Sequence, residues 1–146
     1  MALEPLDLKP WVTRLNSQLT GVHEIGLALD IAGLDDQRVP TPSVWLLAVD
    51  DRGQDISGSD QRKFINSSTV SVCLFVNAAN SPRGDAATDP VRALRAQVWQ
   101  ALIGWQPLGS KARAVTFNRG RLISFDRQNG IATWLDLFTL PWRVTP

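Results

Sequence analysis

Residues 68–77 read Ser-Thr-Val-Ser-Val-Cys-Leu-Phe-Val-Asn. Val70, Val72, Leu74 and Val76 fall on one side of an extended chain, with Thr69, Ser71, Cys73 and Phe75 on the other. This period of two marks a β-strand. The next ordered pattern downstream changes period. Val91, Leu94, Val98, Ala101 and Leu102 form one stripe over roughly 14 residues, which at the standard helical rise is about 21 Å. Arg92, Arg95, Gln97 and Gln100 occupy the other side. Asp89 followed by Pro90 suits an N-cap and first helical position. Gly104 fits the residue past the helix end, where a left-handed backbone costs glycine little, and Pro107 prevents resumption. Between them Trp105 is expected to fold back as an apolar plug over the helix end.

Upstream of the strand, Val44–Val49 is a short continuous apolar run after turn signals, as in a central strand covered on both faces. Residues 50–61 are polar and rich in Gly, Ser and Asp, and predict a long loop or an extended hairpin tip. Near the N-terminus, Leu8, Val12, Leu15 and Leu19 recur at helical spacing. Asp7 is placed to cap, Pro10 sits in the first turn and Gly21 stops the helix. Val22, Ile25, Ala28, Leu29 and Ala32 suggest a second, shorter helix ending near Gly33, followed by a loop over residues 34–42. The last third predicts a meander: Ala114–Phe117, a turn at Asn118-Arg119-Gly120, Leu122–Phe125, a turn at Gln128-Asn129-Gly130, and Ile131–Leu140. The expected fold is α+β, a mostly antiparallel sheet of about four to five strands packed against two or three helices. Residues 1–146 form one expected domain, with no internal repeat or linker.

Composition narrows the function. The chain has 146 residues, 44% apolar and 20% charged, which suits an ordered domain with its own core. Fifteen Lys and Arg against fourteen Asp and Glu leave a net charge of +1, without the basic excess of a phosphate-binding surface, so specific nucleic-acid binding is not expected. A single cysteine excludes an intrachain disulfide and a cysteine-cluster zinc site, and fits a reducing cytosol. No signal-peptide pattern or membrane-length apolar window is present, and no membrane partner is expected.

Chemistry-bearing motifs are scarce. His23 is the sole histidine, so a hydrolytic triad or histidine metal site would have to be built around it. Asp50, Asp51, Asp55 and Asp60 gather carboxylates in one segment, but their spacing fits no EF-hand. The glycines form neither a GxGxxG nor a Walker pattern. No catalytic, metal or cofactor-binding residue is assigned. Arg92, Arg95, Arg113, Arg119, Arg121 and Arg127 suit a solvated rim. Among the six tryptophans, Trp45 and Trp134 are expected in the core. Trp99 lies outside the apolar stripe and lines up with Arg92 and Arg95 at i, i+3, i+7 spacing. Tryptophan with arginine is the composition of an interface anchor, so Arg92, Arg95 and Trp99 are the candidate subunit interface.

The order of motifs resembles the tail terminator proteins of long-tailed bacteriophages over residues 42–142. "TPSVWLLAV", "TVSVCLFVN", "LRAQVWQALIGWQP", "FNRGRLI" and "WLDLFTL" carry the resemblance. Its most specific element is Leu102, Gly104, Trp105 and Pro107 after the helix, supported by Trp134 and Phe138 in the last strand; all six carry over as structural residues. The resemblance implies a virion subunit, assembled in the host cytoplasm, that forms a homo-oligomer, usually a hexameric ring, on the completed tail tube. The ring would stop tube polymerisation and offer a surface to the neck or head-completion protein. Such a role needs no cofactor and no catalysis. Residues 50–66 and 78–88 are then candidates for tube or neck contact. Other readings are another neck or head-completion protein, a small hydrolase using His23 with Asp50, Asp51 and Asp55, and a nucleic-acid module using the meander arginines with exposed tryptophan.

Overall fold

A computed structural model describes residues 3–28, 40–56, 62–77, 85–109, 112–126 and 128–146. Its elements run α1 (Lys9–Gln18), β1 (Glu24–Leu27), β2 (Ser43–Asp55), β3 (Phe64–Asn77), α2 (Asp85–Leu102), β4 (Thr116–Asp126) and β5 (Ile131–Val144). The strands form one sheet in the order β1-β2-β3-β5-β4. The pairs β2–β3, β3–β5 and β4–β5 are antiparallel, whereas β1 runs parallel to β2, so the α+β sheet is mixed.

The period-two strand is the centre of the construction. Val70, Val72, Leu74 and Val76 of β3 are buried and share a face with Val44 and Leu46 of β2 and with Phe138 and Leu140 of β5. The α2 stripe Val91, Leu94, Val98, Ala101 and Leu102 joins them in one core, as do Leu8, Trp11, Leu15 and Leu19 of the α1 region. Both helices therefore pack on the same face of the sheet. Trp11 escaped the periodicity reading, yet it is fully buried and meets Trp105 edge-on, with ring centroids 5.5 Å apart. Its Nε1–H finds no acceptor among the described residues. The expected plug at Trp105 is thus a half-buried ring set against α1. Arg14 lies over that ring at 5.6 Å and donates from Nε to the Ala101 carbonyl near the end of α2. Gly104 has φ +86° and its N–H bonds the Val115 carbonyl.

Three expectations are corrected. The apolar spacing from Val22 does not make a helix: residues 24–27 form β1, and Gly26 lies against the Trp45 ring, where a Cβ would stand 3.0 Å from Cζ3. A four-residue strand is too short to display its own period, and pairing with β2 decides its state. Residues 29–33 of that expected helix, and 34–39 of the loop after it, lie outside the described residues. The main helix begins at Asp85, so Pro90 is inside it and not at its first position. For the polar stretch after Val49, the hairpin and not the loop is the alternative present: β2 continues to Asp55 as one arm of a long hairpin with β3. Finally, Asn118-Arg119-Gly120 is not a turn. β4 passes through it as one strand, with a register irregularity between Phe117 and Arg119. The turn after Asp126 is present as expected: its carboxylate accepts the N–H groups of Gln128 and Asn129, and Gly130 has φ +66°.

The opposite face of the sheet carries no helix among the described residues. Trp45, in register with Cys73, stands on it and is only 2% exposed, with Nε1 donating to Ser43 Oγ at 2.9 Å. Leu47, Cys73, Phe75, Leu135 and Leu137 on that face are half-buried.

Candidate subunit interface

Asp136 is an acid on the inward side of an apolar strand, between Trp134 and Phe138, and it is fully buried. Burying a carboxylate is tolerable only when donors replace its water. Here four do. Arg95 of α2 approaches in bidentate fashion, Nη2 to Oδ1 at 3.0 Å and Nε to Oδ2 at 3.1 Å. Trp99, one helical turn on, donates Nε1 to Oδ2 at 3.1 Å, and Trp134 donates Nε1 to Oδ1 at 2.8 Å. The guanidinium also lies over two indole faces, 4.2 Å from the Trp134 ring centre and 5.0 Å from that of Trp99. Trp99 in turn leans on Phe117 of β4 at 4.7 Å, and Phe117 meets Phe138 edge-on. The helix and the β5–β4 half of the sheet are joined through this one carboxylate.

Gly120 completes the arrangement. It stands opposite Asp136 in the β4–β5 register, and a Cβ there would run into the Asp136 carboxylate and crowd Arg95 and Trp134. The glycine read as a turn residue is therefore required by close approach of a side chain. Its φ is not in the left-handed region.

Of the proposed interface residues, Arg92 is exposed, while Arg95 and Trp99 are half-buried and direct their N–H groups inward to Asp136. The three share the α2 side that overlooks β4. Trp134, expected in the core, is half-buried and serves as a donor and a stacking surface; Trp45 is core. Asp136 and Gly120 were missed by the sequence reading. The available signal was the polar residue at an inward position of "WLDLF", with Arg95 and Trp99 at i, i+4 spacing to receive it.

A second polar cluster links β2, β3 and β5. Asp51 accepts from Ser68 Oγ at 2.6 Å and Asn66 Nδ2 at 2.9 Å, and Trp142 Nε1 donates to Ser68 Oγ at 3.0 Å. His23 is exposed just before β1, its N–H bonded to the Pro42 carbonyl. Asp50, Asp51 and Asp55 lie seven or more residues further along β2 than Ser43, where β1 pairs, a separation of roughly 23 Å or more at the strand rise. The hydrolase constellation is not assembled. Among the described residues no group of three His, Cys, Asp or Glu side chains could hold a metal ion, and no helix is long and apolar enough to cross a membrane. Asp60 and Arg127, and residues 57–61 and 78–84 of the candidate contact segments, lie outside the described residues.

The family model for phage tail terminator proteins matches residues 1–145. The chain belongs to the phage tail terminator family. Among solved structures, a chain of the "Virion of native gene transfer agent (GTA) particle" superposes with a TM-score of 0.52 over 88% of this chain and 91% of that chain, at 16% identity, a likeness of fold. No curated protein sequence matches. As a tail terminator family member, the protein is a structural component of a virion tail.

Proposed function

We propose that this tail terminator subunit assembles as a ring, usually of six copies in the family it resembles, on the end of the tail tube. There it blocks further tube addition and presents a surface to the neck or head-completion protein. The observation that carries the reading is the family match over nearly the whole chain. The α+β fold shared with a virion chain of a gene transfer agent agrees with it. In physical terms, a head-to-tail contact whose rotation closes yields a ring where an open rotation yields a filament. Termination is then geometric: one ring face accepts the tube and the other offers no copy of the tube's growing end. The Arg92, Arg95 and Trp99 side of α2 faces a neighbouring subunit, and residues 50–66 and 78–88 reach the tube or neck.

Two measurements test this. The mass of the purified protein should exceed that of a monomer, with rings visible in micrographs. Phage lacking the protein should carry overlong tails that do not join heads, and normal-length tails would refute termination. Normal-length tails that still fail to join heads would instead favour a neck or head-completion role.

A further inference from the structure

We propose that neighbouring copies join through the two open edges of the sheet, β4 of one subunit pairing antiparallel with the outer half of β2 in the next. The proposal rests on the ring reading, assigns it a contact, and gives residues 50–55 to that contact, leaving the rest of the 50–66 segment and 78–88 to the tube or neck.

β4 is the last strand of the sheet, and among the described residues nothing pairs with its outer side. At the other border β1 covers β2 only from Ser43 to Leu46, which among the described residues leaves 48–55 as a second open edge, exposed along its whole length. Long open edges are templates for pairing with another chain. Both carry large apolar residues in water: Leu122 is 53% and Ile123 46% exposed on one, Val49 48% on the other. Val49 and Ile123 occupy equivalent situations, each at a register shift of its strand, between Ala48 and Asp50 and between Leu122 and Ser124.

Charge and polarity select the partner. The β4 edge presents Arg119 and Arg121, both exposed, while Asp126 is engaged in its turn. The β2 edge presents Asp50 and Asp55, Asp51 being engaged by Ser68 and Asn66, around one arginine, Arg52, whose 3.3 Å pair with Asp50 is solvent-exposed and readily exchanged. Basic edge to acidic edge is favourable, whereas β4 against β4 or β2 against β2 sets like charges opposite each other. β2 and β4 run in opposite directions, because three antiparallel pairings separate them. A neighbour added in the same orientation therefore brings its β2 antiparallel to β4. The contact is heterologous and self-propagating, as a ring requires.

The two edges lie at different heights. The outer half of β2 is level with residues 138–144 of β5, and residues 119–126 of β4 with 131–137. Successive subunits are thus offset by roughly 23 Å along the strands for a repeat of about four strand spacings, so the strands incline roughly 50° to the ring axis. α2, held over β4 by Trp99 on Phe117, brings Arg92 to the same junction.

The test uses the full chain with two edge variants, Leu122→Asp combined with Ile123→Asp, and Val49→Asp, their folding checked by circular dichroism. Light scattering should give a ring for the wild type and loss of the ring for each variant. An equimolar mixture should give a one-to-one dimer, since each partner brings one intact edge. Rings of wild-type mass from both variants would overturn the edge contact and leave the ring reading standing. A wild-type chain that stays monomeric at high concentration, tail tubes included, would overturn both. Independently of any substitution, amide exchange compared between dilute and assembled wild type should slow within residues 48–55 and 119–126, and slowing confined to other segments would equally refute the edges.

Discussion

At the scale of single residues, Asp136 concentrates the electrostatics of the molecule. Its four donors come from two elements, and removing a charge partner from a buried pair leaves the other uncompensated, typically at a cost of about 3–5 kcal/mol. Asp136→Asn should lower the unfolding free energy by about 2–4 kcal/mol in urea titration, because one carbonyl oxygen survives but the charge does not. Cys73 has the opposite character. Burial pushes its thiol from an ordinary value near 9 up to about 11, so the folded protein holds this proton more tightly than the unfolded chain. Its contribution is fully present below pH 9 and is lost as pH rises towards 11. The stability difference between wild type and Cys73→Ala should therefore shrink between pH 8 and pH 11, and a constant difference would place the thiol in water.

At the scale of elements, β4 is the strand whose conformation depends most on a residue it does not contain. Gly120→Ala adds one methyl group that meets the Asp136 carboxylate, and neither partner can retreat without breaking the Arg95 pair. The substitution should cost about 2–4 kcal/mol, in the range of overpacking combined with a disturbed buried pair. Gly53→Ala, where the nearest atom is a Phe64 ring carbon at 3.5 Å, should cost far less. The end of α2 depends on Trp105 in a similar way. Trp105→Ala removes the ring lodged between Trp11 and Arg14 and should cost about 2–3 kcal/mol, while a shift within about 0.5 kcal/mol would place the ring free on the surface.

These elements also divide what was legible in the chain from what was not. β3 and the α2 stripe repeat their period several times on a half-covered surface, so burial wrote itself into the spacing. β1 spans barely two periods, and Gly120 bears a glycine's usual meaning until the residue opposite is known. Asp136 and Arg95 are 41 residues apart. Nothing local to either announces the other, although an acid at an inward strand position is a demand for a donor somewhere. Composition alone does not tell that Arg95 and Trp99 also hold a buried carboxylate.

At the scale of the whole molecule, one helix-covered face and one face that carries no helix among the described residues share a single sheet, with a common core reaching from Leu8 to Leu140. No described element owns a separate core, so the chain should unfold as one cooperative unit. Tryptophan fluorescence, which samples both faces, and far-ultraviolet circular dichroism should give superimposable urea transitions. Separated midpoints would show that part of the sheet melts alone. The Asp136 cluster has a mechanical corollary. Three of the four N–H groups it receives come from α2, so displacing that helix along the sheet stretches all three together and cannot proceed one bond at a time. Under a shearing load the subunit is accordingly brittle, stiff to a threshold and then yielding in a single step.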